Sequence, residues 1–102
     1  MEEITLFLDK KIKRISVKKV SPLGKLTGLM FRSCETRNLL FEFDKPTRTA
    51  LHSWFVFFPF LALWIDEKNQ VLEVRKIQPF TTTITPSKPF RKIIEIPFSR
   101  RN

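Results

Sequence analysis

The stretch LHSWFVFFPFLALWID at residues 51–66 restricts the folds open to this chain more than any other feature. Ahead of Asp66 its one ionisable residue is His52, set among aromatic, aliphatic and small side chains. Interrupted by Pro59, it falls short of the ~20 apolar residues that a membrane helix needs. Aromatic and β-branched residues favour strands, and a proline removes a ladder donor. The stretch therefore reads as two strand halves meeting at Pro59. Alternation would put Trp54, Val56 and Phe58 on one face and Phe55 and Phe57 on the other. Both faces are apolar, so both need cover, as in a central strand or a barrel wall with something packed outside it. Burial of each large side chain is worth roughly 1.5–3 kcal/mol.

A chain of 102 residues predicts one domain, with residues 99–102 as a frayed basic tail. Its 42% hydrophobic content and eleven phenylalanines supply a core and exclude wholesale disorder. Two glycines are too few for a Gly-rich phosphate loop or a repeat array. Met1-Glu2-Glu3 is acidic and Ile4–Leu8 is short for a signal core, so a cytoplasmic protein without a transmembrane segment is expected. The single cysteine, Cys34, leaves no internal disulfide and no Cys-rich zinc site.

The formal charge of +9 is unevenly placed. Residues 10–37 hold nine basic side chains, beginning with Lys10, Lys11, Lys13, Arg14, Lys18 and Lys19, against one acid, Glu35, for a net +8. Such a segment attracts phosphate polymers or anionic membrane surfaces in a salt-dependent way. The plainer expectation is a solvated hairpin face.

The periodicities predict a mainly β domain, α+β by strict count. Ile4–Leu8 and Ile12–Val20 read as a hairpin turning at Asp9-Lys10-Lys11, with Ile15 and Val17 facing inward and the positive charge outward. Ser21-Pro22 is an N-cap followed by proline at the first helical position, and Leu23, Leu26 and Leu29 recur at helical spacing. One short helix is expected near residues 22–32. Leu39–Asp44 alternates with Phe41 and Phe43 on one side and Glu42 on the other. Glu67–Gln70 has hairpin-loop length, and Val71–Ile77 is the returning strand. Pro79, Pro86 and Pro89 punctuate an irregular Thr-rich connection, and Arg91–Ile96 is the last strand, stopped by Pro97. Together these make a compact, barrel-like antiparallel sheet with one short helix.

The order of blocks carries a resemblance. Lys25-Leu26-Thr27-Gly28-Leu29-Met30-Phe31-Arg32 precedes Leu40-Phe41-Glu42-Phe43. The aromatic stretch through Pro59 to Ile65-Asp66 follows, then Val71–Ile77 and Ile93-Ile94-Glu95-Ile96-Pro97. Over about residues 15–98 the chain resembles the domain of unknown function 192 family, also called uncharacterised protein family 0127. The resemblance implies a compact, β-rich, barrel-like domain and no established activity. Gly28, Met30, Arg32, His52, Trp54 and Pro59 fall on family-motif positions. Where the family commonly has Lys, Asn, Thr and a later Asp, this chain has Trp54, Phe55, Val56 and Leu61.

No catalytic constellation stands out. His52 and Cys34 would need proximity and a third, orienting group to act as base and nucleophile. The carboxylates Glu42, Asp44, Asp66, Glu67, Glu73 and Glu95 are scattered over separate segments, and no cluster has metal-ligand spacing. No cofactor is expected. The aromatic strands carry almost no charge and the basic segment few aromatics, which favours core plus charge over a base-stacking platform. The expected role is a small binding or accessory module without established activity, its partner a protein or a polyanion. Weak, sequence-independent binding of nucleic acid or another polyanion through residues 10–37 is the alternative.

Overall fold

In a computed structural model the chain is described over residues 2–20, 38–48, 50, 58–81 and 84–97. Six strands make up this part: β1 (Glu2–Leu8), β2 (Lys11–Val20), β3 (Leu39–Thr47), β4 (Phe60–Ile65), β5 (Val71–Ile77) and β6 (Phe90–Pro97). They form one sheet in the order β1-β2-β3-β6-β4-β5. All neighbours are antiparallel except β2 and β3, which run parallel through Lys18–Leu39, Lys19–Leu40 and Val20–Phe41. A parallel pair needs a long crossover, and residues 21–38 provide it. The expected helix falls in this crossover, outside the described residues.

The sheet curls until its two edges meet. Phe7 forms an isolated parallel bridge with Gln70, its amide donates to the Asn69 carbonyl at 2.9 Å, and Gln70 Nε2 donates to the Phe7 carbonyl at 3.0 Å. This gives β1 and β5, the sheet's exposed edges, a partner at one end.

The aromatic stretch occupies the position that its two apolar faces demand. Its second half is β4, between β5 and β6, entered through half-buried Pro59; the first half, residues 51–57, lies outside the described residues. β6 is likewise flanked on both sides, by β3 and β4. Inside the curl pack Ile4, Leu6, Val17, Leu40, Leu63, Ile65, Val71 and Ile94. On the outer face Leu39, Phe41, Phe60, Ala62, Trp64, Ile77 and Ile93 form a second core, covered in part by Phe58, Ile84 and Phe90. Phe90 meets Phe43 edge-on, with ring centroids 5.5 Å apart. A barrel wall with material packed against its outside is the observed arrangement.

Local chemistry fixes the turns and straps. Asp9 opens the two-residue β1–β2 turn at φ 56°, a left-handed conformation that Asp tolerates. Asp66 closes the β4–β5 hairpin: its carboxylate accepts the amides of Lys68 and Gln70, both at 2.9 Å. Leu72 sits at a bulge between the pairs Trp64–Glu73 and Ile65–Val71 and packs with the outer core. Pro46 is tolerated in β3 because β2 pairs only as far as Phe41. Glu73 accepts Ser87 N and Oγ at 3.0 Å and pairs with Arg75, whose Nη2 donates to the Thr85 carbonyl at 3.1 Å. Arg75 also lies over the Trp64 ring, 5.4 Å from its centroid. These contacts hold the segment around Ile84–Ser87 against the outer core.

Trp64 is fully buried at the centre of that core, so Trp64→Ala is expected to cost about 3–5 kcal/mol in urea unfolding. Ile12→Ala, at a site 67% exposed, is expected to change stability by less than about 0.5 kcal/mol.

Candidate functional site

The β1–β2 hairpin is the part of the described chain with the largest surplus of exposed charge. Its register pairs Ile4 with Ile15, Thr5 with Arg14, Leu6 with Lys13, Phe7 with Ile12 and Leu8 with Lys11. Side chains alternate across a strand, so Ile4, Leu6, Ile15 and Val17 face the interior of the curl while Phe7, Ile12, Arg14 and Lys18 face outward. The six basic residues of the hairpin do not share one face. Arg14 and Lys18 stand on the outer face. Lys11 and Lys13 belong to the inner row but remain exposed, and Lys10 lies in the turn.

Lys19 stands apart from the other five. Its ammonium pairs with Glu42 at 3.2 Å and Glu2 at 3.5 Å, and the Glu42 hydrogen bond and charge hold its pKa above the usual value. It ties β2 to β1 and β3 at the rim of a cleft of about 190 Å³ over Ile4 and Leu40. Lys92, on the same rim, donates to the Asn69 side-chain oxygen. The cleft's cations are thus already engaged by protein groups. Among the described residues no carboxylate lies within ion-pair distance of Lys10, Lys11, Lys13, Arg14 or Lys18.

The outer face also carries two apolar side chains whose pairing sequence reasoning missed. Phe7 and Ile12 sit directly opposite each other, 38% and 67% exposed. The separation of aromatic from basic residues expected from the sequence therefore fails at this point: the Phe7 ring shares a face with Arg14 and Lys18. A two-residue turn at Asp9-Lys10 would have placed position 7 opposite position 12 and exposed the juxtaposition. Of the family-motif positions, Gly28, Met30, Arg32, His52 and Trp54 lie outside the described residues. Pro59 leads into β4, and Leu61 packs against the inner core.

Glu95 is the other feature hidden from sequence reasoning. It sits mid-β6, opposite Leu39 on one side and Ala62 on the other, only 2% exposed. Among the described residues its Oε1 has no hydrogen-bond partner, nor does the buried Trp64 Nε1. Burial pushes its pKa up to about 8, so the carboxyl is mostly protonated at neutral pH. Glu73 is the opposite case. Partial burial would push its pKa up, but the Ser87 hydrogen bonds and Arg75 outweigh that and hold it low.

The chain has relatives in sequence and in fold. The model of the DUF192 family, described as an uncharacterized ACR, matches residues 6–100. No curated protein matches. A "putative transcription regulator" from Sinorhizobium meliloti 1021 is similar in structure, with a TM-score of 0.80 and 17% identity over 93% of this chain and 78% of that one. A protein of unknown function from Novosphingobium aromaticivorans DSM 12444 superposes with a TM-score of 0.77 and 15% identity, over 93% and 71% of the two chains. These likenesses establish a shared fold.

Glu95 sets a specific pH dependence. A carboxyl whose pKa rises from 4.5 to about 8 on folding binds its proton more tightly in the native state. Its contribution is therefore intact below pH 4.5 and is lost as pH rises towards 8. Glu95→Gln removes the charge to be buried. Relative to wild type it is expected to gain stability across that window, by at most about 1.4 kcal/mol per pH unit, in paired urea titrations. A constant difference between the two proteins would show that Glu95 does not titrate there.

The match to residues 6–100, nearly the whole chain, makes this protein a member of the DUF192 family.

Proposed function

We propose that the domain is a binding module whose working surface is the β1–β2 hairpin and whose ligand is a polyanion. One observation carries this reading: five exposed cations on the hairpin have no carboxylate partner among the described residues, whereas neighbouring Lys19 has two. A charge needed for folding would be expected to make ion pairs as Lys19 does. Cations left in water keep their full attraction for an external anion and release counterions when they meet a phosphate chain. The description of one fold neighbour as a "putative transcription regulator" accords with such a ligand.

A generic polyanion site has a defined signature. Affinity should fall steeply with salt, with each neutralised phosphate of a single strand contributing about 0.7 to the slope of log K against log salt. Changing Lys10, Lys11, Lys13 and Arg14 together to Glu should abolish binding to heparin and to oligonucleotides while leaving the circular dichroism spectrum unchanged. Lys19 is left out because it ties strands together. Equal binding by the quadruple variant, or no binding by wild type at low salt, would contradict the reading.

A further inference from the structure

The outer face of the hairpin holds more than charge. Phe7 projects from β1 directly opposite Ile12, and Arg14, paired with Thr5, is its diagonal neighbour. Diagonal positions across an antiparallel pair lie roughly 7–8 Å apart, within reach of an aromatic ring and a guanidinium. Lys18 follows four residues along β2 on the same side, about 13–14 Å from Arg14 at the usual strand rise. The acid on this face, Glu3, lies opposite Ser16, between the positions of Arg14 and Lys18, and Asp9 is in the turn. An exposed ring thus sits at one end of an outward row that carries two cations, Arg14 beside it and Lys18 beyond Glu3.

From this juxtaposition we infer that the hairpin binds single-stranded nucleic acid, with one base stacked on Phe7 beside Ile12 and the adjoining phosphates held by Arg14 and Lys18. The inference rests on the polyanion reading above and narrows it to a ligand class. A sulfated or phosphorylated polymer without bases uses the cations and leaves the ring in water. A duplex keeps its bases stacked inside and offers Phe7 a π-face only at the cost of unstacking a base step. A single strand presents phosphates and unstacked bases together, and base–aromatic stacking tolerates any sequence. An anionic bilayer satisfies the charges, but two side chains provide little apolar surface for insertion.

The test uses the full chain and three soluble probes, an oligothymidylate, an abasic oligomer of equal length and heparin, each followed by fluorescence anisotropy over a salt series, with phosphatidylserine vesicles as a separate co-sedimentation arm. Wild type should bind the oligothymidylate more tightly than the abasic strand. Phe7→Ala should weaken oligothymidylate binding roughly 5- to 100-fold, leave heparin binding within about twofold and keep the salt slope unchanged. Phe7→Trp should restore the affinity and report stacking by quenched indole emission, in a background where Trp54 and Trp64 are unchanged and serve as the reference signal. Equal weakening on all three soluble probes would mean that Phe7→Ala had damaged the hairpin rather than removed a stacking surface, and would overturn the inference. Unchanged oligothymidylate affinity in Phe7→Ala, with binding still lost on charge reversal, would overturn it while sparing the polyanion reading. Binding to phosphatidylserine vesicles but not to oligothymidylate would overturn it in favour of a membrane surface. No binding to any probe would overturn both.

Discussion

Two-sided burial of the β6–β4 pair is the constraint on which the rest of the structure depends. Each strand has neighbours on both edges and apolar side chains on both faces: Ile93 and Ile94 in β6, Trp64 and Ile65 in β4, all without solvent exposure. A strand of this kind is stable only if something lies above it and something below. Curling the sheet supplies one cover, because β1 and β2 come round to place Ile4, Leu6 and Val17 over the inner face. The segment held by Glu73, Arg75 and Ser87 supplies part of the other. The hairpin is thus required for packing, yet half of each of its strands is not, and that unused half is where Phe7, Ile12, Arg14 and Lys18 stand. The packing of the described residues leaves that outward row in solvent, free to meet a ligand.

The same constraint explains the oddity at Glu95. A position in the middle of a doubly flanked strand is buried whatever its side chain, and among the described residues no cation answers the carboxyl between Leu39 and Ala62. Staying protonated is less costly than carrying a buried charge. The sheet tolerates the acid at neutral pH through this proton, at a cost in stability that grows as pH rises from 4.5 towards 8.

How much of this was legible in the sequence depends on which interactions decide each feature. Hydrophobic alternation is local, so Val71–Ile77 is found with the predicted bounds and the hairpin over Ile4–Val20 with its predicted inner residues Ile15 and Val17. The doubly apolar stretch announced a covered wall, and β4 is one. Strand order is set by long-range pairing, and neither the place of β6 between β3 and β4 nor the parallel β2–β3 contact follows from any local pattern. The site shows the same division. The list of hairpin cations was readable from composition, but their separation into an outer row, an inner row and the ion-paired Lys19 depends on register. Glu95 looked like any acid in a strand, because RKIIEI does not say which neighbours will enclose it.

The central claim is that this fold uses its aromatic strands as scaffold and presents the outer face of β1–β2 to its ligand. Amide chemical-shift mapping during titration with an oligothymidylate tests it most directly. The account predicts perturbations concentrated at Phe7, Ile12, Arg14 and Lys18, with β4 and β6 unmoved. Shifts centred instead on the Lys19–Lys92 cleft, or spread over β4 and β6 with the hairpin silent, would contradict it.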